Sequence, residues 1–269
     1  VKIGVVGKGG TGKTTTSALL ARAYAHRGAH VVAVDTDSNP NLGMSLGVDE
    51  ATAAQAPLVP RELVIGSGDD DTPQRLLADY GIATPAGVTL LHAVRVEEAG
   101  GGCMCGSHAS VRSLLGSTVD EHVGVTIVDM EAGLEHLSRS GGTLAYVDVL
   151  LIVTEPTHKA ALTAARTVDL ARELGILRIA LVANKADPND TGLLDDTTAE
   201  LGTPLAGMIP ADPEVMTADR TGGPLPVSTV AGRAIDDVVA FIESAEEERT
   251  ALLAEKARVD AKLAALGDA

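Results

Sequence analysis

The segment Gly7-Lys8-Gly9-Gly10-Thr11-Gly12-Lys13-Thr14 fits the phosphate-loop pattern G-x-x-x-x-G-K-[ST]. Few short patterns restrict a fold so strongly. Backbone N–H groups must turn inward around phosphate oxygens, and a Cβ at the glycines would block either the dihedrals or the anion. Gly9, Gly10, Thr11 and Gly12 supply the cradle, and Thr15 follows in the same stretch. Lys13 offers a cation to the β/γ-phosphates, and Thr14 a hydroxyl for Mg²⁺. The chemistry requires a strand before the loop and a helix after it. Lys2–Val6 is a short apolar run suited to a buried strand. Thr16 to Arg27 carries Leu19, Leu20, Ala23 and Tyr24 at helical spacing and stops before Gly28. The start of that helix adds unpaired N–H groups to the anion site.

Further apolar runs follow at Val31–Asp35, Val88–Val94, Val125–Asp129, Val147–Thr154, Ile179–Ala183 and around Ile209. With the first they make about seven strands interleaved with helical patterns. The fold expected is α/β: a doubly wound, mostly parallel sheet flanked by helices. The chain has one Phe, three Tyr and no Trp, so Val, Leu, Ile and Ala must fill the core, as suits strands buried on both faces. Residues 1–243 read as one nucleotide-binding domain, and residues 244–269 as a charged C-terminal helical extension with Leu252, Leu253, Leu263 and Leu266. Thr229 to Leu266 is expected to be mostly helical. Ala51–Ala86 reads as an irregular excursion with a helix near Gln74–Tyr80. Asp69-Asp70-Asp71 within it reads as a solvated acidic turn.

A net charge of −16 repels phosphate backbones, and neither a basic patch nor an aromatic platform is present to overcome it. No nucleic-acid partner is expected. No signal peptide precedes the first strand, and the run Leu144–Val153 is short and interrupted by Asp148. A soluble, cytoplasmic protein without membrane attachment is expected.

Three other segments carry chemistry. Val125–Asp129 is an apolar strand ending in a carboxylate, as a Walker B segment requires, with Asp129 facing the Mg²⁺ shell and the loop through Gly133 as a switch. Glu131, Glu135 and His136 in that loop have no assignable chemistry. Asn184-Lys185-Ala186-Asp187 has the N-K-x-D form by which GTPases read guanine. Cys103 and Cys105 are the two cysteines of the chain. A disulfide between them would close a very tight ring. Two thiolates at this spacing can grip one side of a soft metal, and a twofold dimer would complete four. Such a set suits tetrahedral Zn²⁺, square-planar Ni²⁺ or a bridging iron–sulfur cluster. A helix is expected from about Ser107 to Leu115, with His108 as a further candidate ligand.

Lys8 adds a second lysine near the start of the loop, which then resembles the deviant phosphate loop of the MinD, ParA, nitrogenase iron protein and CooC family. The resemblance implies a nucleotide-sandwich homodimer in which Lys8 reaches the partner's phosphates. It implies that Asp37 positions the attacking water, with Asp35 closer to the Mg²⁺ shell. It also implies that Asn184 reads adenine, aided by the backbone around Ile209-Pro210-Ala211-Asp212. ATP is therefore favoured, while Asp187 keeps GTP open. Glu97-Glu98 through Cys103-Met104-Cys105, Val111–Leu115 and Asp129–His136 resemble the CooC-type nickel-insertion ATPases of carbon monoxide dehydrogenase. This implies a dimeric ATPase using ATP/ADP and Mg²⁺, with Zn²⁺ or Ni²⁺ held between subunits by Cys103 and Cys105. The implied partner is a client metalloenzyme resembling carbon monoxide dehydrogenase. Two alternatives stand beside it: an iron–sulfur electron carrier, and a metal-independent MinD- or ParA-like nucleotide switch.

Overall fold

The computed structural model describes residues 1–37, 39–59, 73–93, 124–130, 147–187, 189, 191–226 and 228–244. The strands are β1 (Lys2–Gly7), β2 (Val31–Asp35), β3 (Ile82–Ala83), β4 (Thr89–His92), β5 (Val125–Asp129), β6 (Val149–Thr154), β7 (Ile179–Ala186) and β8 (Leu205–Pro210). The helices are α1 (Lys13–His26), α2 (Leu42–Ser45), α3 (Glu50–Ala54), α4 (Pro73–Tyr80), α5 (His158–Glu173), α6 (Gly192–Leu201) and α7 (Pro213–Thr221). Residues 230–244 form a further helix, α8.

One eight-stranded sheet has the order β3-β4-β2-β5-β1-β6-β7-β8. Every pairing is parallel except β3 with β4. The sheet is thus the doubly wound, mostly parallel one that the sequence predicts, with one strand more. β3 is a two-residue antiparallel edge inside the segment expected to be irregular. It is too short to show an alternating pattern, and it exists because the turn through Thr84–Val88, with Gly87 at φ 74° and the Thr84 N–H donating to the Val88 carbonyl at 3.0 Å, brings the chain back onto it as β4.

Side chains alternate across the sheet, as the pleat demands. Ile3, Val5, Val31, Ala33, Leu151 and Val153 enter a cluster with Leu19 and Leu20 of α1 and Ile235, Val238 and Val239 of α8. Val6, Val32, Val34, Leu150 and Ile152 enter the opposite cluster with Leu76 of α4 and Ala164 and Val168 of α5. Aliphatic side chains fill both layers. Strand β1 lies between β5 and β6, where successive crossovers diverge to opposite sides. An open α/β sheet binds ligands at this switch point, beyond the carboxyl ends of its strands. Among the described residues no helix is long and apolar enough to cross a membrane. The expected helix near 107–115, the acidic run at 69–71, the loop from 131 onwards and the extension beyond 244 lie outside the described residues.

Candidate functional site

The carboxyl ends of the strands open onto a cavity of about 530 Å³. Gly9, Gly10, Gly12, Lys13, Thr14 and Thr15 form one wall, Asp37 stands at the side, and Asn184, Lys185 and Ile209–Asp212 form the other. The loop is closed by its own carbonyl: the oxygen of Lys8 accepts from the Thr11 N–H at 3.2 Å, the Thr11 hydroxyl at 2.8 Å and Lys13 Nζ at 3.5 Å. The Lys8 side chain is exposed. Helix α1 begins at Lys13, a full turn before the apolar pattern starts, because Gly12 caps it in the left-handed region (φ 89°). No side chain caps this end, so its first N–H groups are available to an anion. Gly12 is needed twice over, since a Cβ there would collide with Asn184 Nδ2 as well as strain the backbone.

Asp35 and Asp129 face each other as register partners of β2 and β5, both essentially without solvent exposure. Asp35 accepts the N–H of Asp37 and of Leu42, each at 3.0 Å. Asp129 accepts the Ser17 hydroxyl at 3.1 Å and also a bond from Thr14. Burial, then the charge of Asp129, pushes Asp35 up to about 8. Burial raises Asp129 to about 6, against the Thr14 and Ser17 hydroxyls and the Lys13 cation. Two buried carboxyls beside a hydroxyl form a set of hard oxygens with excess negative charge, which suits Mg²⁺.

These shifts predict a pH dependence. Unfolded aspartate titrates near 3.9, so from about pH 4 to pH 8 the folded, Mg²⁺-free protein binds more protons than the unfolded chain. The stability involved is complete below about pH 4 and is lost as pH rises through about 8. Without nucleotide or Mg²⁺ the protein is expected to melt roughly 5 °C lower at pH 8 than at pH 5.5 by calorimetry. Asp35→Asn should flatten that slope, and an unchanged slope in the variant would place its origin elsewhere.

On the far wall, Asn184 is buried at the end of β7, and its Nδ2 donates to the Thr11 carbonyl at 2.8 Å. One of the two amide N–H groups is engaged in this way, and Oδ1 remains as an acceptor. An acceptor there matches the exocyclic amino group of adenine. Asp187, the guanine-reading position of the sequence motif, accepts from the Asn189 N–H and side-chain amide at 2.9 and 3.0 Å. It does not line the cavity. Pro210 and Asp212 both line it. Both oxygens of Asp212 accept backbone N–H groups, from Glu214 at 2.9 Å and Ala231 at 3.0 Å. Burial raises its pKa, but the bonds from Ala231, Glu214 and Thr229 outweigh this and hold it below the usual value. Asp212 is the N-cap of α7, ahead of Pro213 at the first turn.

Val215 and Asp219, in the segment after β8 whose resemblance to the deviant-loop ATPases implies a border of the base pocket, line the cavity. Sequence reasoning passed over Met216 beside them, which also lines it; its four-residue spacing behind the Asp212 N-cap was the available signal. Burial raises the Asp219 pKa. Ser17, one turn beyond Thr14, carried no pattern of its own. Cys103, Cys105, His108, Glu131, Glu135 and His136 lie outside the described residues.

Comparison with known proteins agrees with this geometry. Residues 3–225 match the CobQ/CobB/MinD/ParA nucleotide binding domain. The chain is 38% identical over 240 residues to the carbon monoxide dehydrogenase accessory protein CooC of Rhodospirillum rubrum, covering 82% of this chain and 88% of that one. It is 34% identical over 256 residues to an uncharacterised ATP-binding protein of Methanocaldococcus jannaschii, covering 90% and 97%. The septum site-determining protein MinD of Pyrococcus horikoshii, solved with Mg-ADP, superposes with a TM-score of 0.66 at 22% identity, covering 88% of this chain and 93% of that one.

Proposed function

This chain belongs to the CobQ/CobB/MinD/ParA nucleotide-binding family and is an ATPase, and on that premise we propose that it is a dimeric metallochaperone. In this reading ATP turnover drives delivery of nickel to a client metalloenzyme resembling carbon monoxide dehydrogenase. The observation that carries the proposal is the 38% identity to CooC across 82% of the chain, together with the Cys103–Cys105 pair.

The residues have separate tasks. The amides of Gly9 to Thr15 and the Lys13 ammonium bind the phosphates. Thr14, with Asp129 and Asp35 behind it, would hold Mg²⁺, which would supply positive charge to the phosphates. Asp37, at the cavity edge, orients the attacking water. Lys8, exposed on the loop, crosses to the partner's phosphates and stabilises charge there. Asn184 Oδ1 accepts from adenine, and Asp212 shapes the base wall through Pro210. Cys103 and Cys105 from two subunits hold the metal cargo, with Zn²⁺ and Ni²⁺ both suited to four thiolates. Asp37 and the segment after Asp129 sense the γ-phosphate and change the spacing of the two cysteine pairs.

Metal content and mass of anaerobically purified protein, with and without ADP or ATP, test the proposal. About one colourless Zn²⁺ or Ni²⁺ per dimer, altered by nucleotide, is the expected result. Iron with sulfide would replace the proposal with an electron carrier. A metal-free protein that dimerises on ATP would replace it with a plain nucleotide switch.

A further inference from the structure

Strand β7 continues past Asn184, but irregularly. Its register with β8 slips between Asn184 and Ala186. Lys185, at the slip, has φ 53°, and among the described residues it is the one non-glycine in the left-handed region. Lysine carries a Cβ and no local hydrogen-bonding device to offset that conformation. A bulge re-aims a side chain, and strained backbone gathers at functional sites.

Here the bulge aims Lys185 Nζ at the phosphate loop. It donates to the Gly10 carbonyl at 2.8 Å and to Glu155 Oε1 at 2.7 Å. Glu155 follows the end of β6. One ammonium thereby joins the loop after β1, the end of β6 and the bulge of β7. The preceding residue does similar work, since Asn184 Nδ2 holds the Thr11 carbonyl. Two successive residues of β7 thus hold two successive carbonyls of the loop. In a trans peptide the N–H points opposite to the C=O. Holding the Gly10 carbonyl therefore fixes the Thr11 N–H, which closes the loop on Lys8. Holding the Thr11 carbonyl fixes the Gly12 N–H.

We propose that Lys185, oriented by Glu155, is a positioning residue for the phosphate loop, and that the left-handed bulge of β7 serves to deliver it. The proposal rests on the nucleotide-site reading above. The Lys185 side chain is 52% exposed and that of Glu155 29%, so the ion pair by itself contributes little to folding. Its effect is on the orientation of the loop amides before nucleotide arrives.

Lys185→Gly separates positioning from structure. It removes the ammonium and relieves the left-handed backbone together. The variant is expected to melt at or above the wild-type temperature without nucleotide. Its Kd for ADP and KM for ATP should rise roughly tenfold, with kcat within about twofold, because loop order is shared by ground and transition states. Glu155→Gln should weaken ADP binding about threefold, and the double variant should bind no more weakly than Lys185→Gly alone. ADP affinity of Lys185→Gly within about twofold of wild type would overturn the proposal. So would a lowered melting temperature with unchanged affinity, or multiplying effects in the double variant. Wild-type protein that binds no ADP would instead overturn the nucleotide-site reading.

Discussion

Lys13→Gln should lower ATP turnover about a thousandfold, the scale on which removing a charge-stabilising group acts at a transferring phosphoryl group. The ammonium is held in place before substrate arrives: its residue is 7% exposed, and Nζ lies 3.5 Å from the Lys8 carbonyl. Among the described residues of the same subunit, Lys185 is engaged by Gly10 and Glu155, and the exposed Lys8 is assigned in the proposal above to the partner's phosphates. Glutamine keeps a donor, on a side chain one bond shorter, but not the charge. The substitution has a second consequence. The Lys13 cation helps keep Asp129 ionised, so its loss leaves the Asp35–Asp129 pair with less compensation. Wild type and variant should therefore be compared near pH 6, where protonation of the pair relieves its repulsion. Phosphate release and ADP calorimetry read the effect, and circular dichroism checks the fold. Turnover above about a tenth of wild type would place hydrolysis somewhere other than this loop.

The joint substitution Cys103→Ser and Cys105→Ser should reduce bound metal from about one per dimer to below about a tenth, while ADP affinity stays within about twofold. Serine matches cysteine in shape but offers a hard, protonated oxygen. Zn²⁺ and Ni²⁺ held by thiolate require a soft, deprotonated ligand. β4 and β5 both run parallel to β2. Strand β4 therefore ends at His92 on the nucleotide edge of the sheet and β5 begins at the opposite edge, and in sequence Cys103 and Cys105 fall between them. Elemental analysis and mass measurement with ATP check this. Wild-type metal stoichiometry in the double variant would remove the two cysteines as ligands, and the coupling proposal with them.

The parts legible in the sequence were those encoded over a few residues. The strand–loop–helix around Gly7 to Thr14 was complete, because glycine spacing and an apolar run suffice to specify it. The core strands were legible because a parallel sheet buries both faces. Asp35 and Asp129 were each readable as strand-terminal carboxylates. Their meeting was not, because it depends on the register of β2 against β5, which strands far apart in the chain set together. Asn184-Lys185-Ala186-Asp187 shows the same limit. Its letters admit guanine and adenine alike. In the folded chain Asp187 turns to Asn189, and Asn184 commits its nitrogen to Thr11.

The chain alone therefore determined the α/β class and the phosphate loop that carries Lys13 and Thr14, because these follow from local backbone geometry and hydrophobic periodicity. Only the tertiary structure decided the left-handed bulge that carries Lys185 to Gly10. It likewise decided the use of Asp212 as a helix cap tied to Ala231, and the buried pairing that drives Asp35 up to about 8. Each of these is a contact between distant segments whose energy depends on burial and register, and neither quantity exists until the sheet has formed.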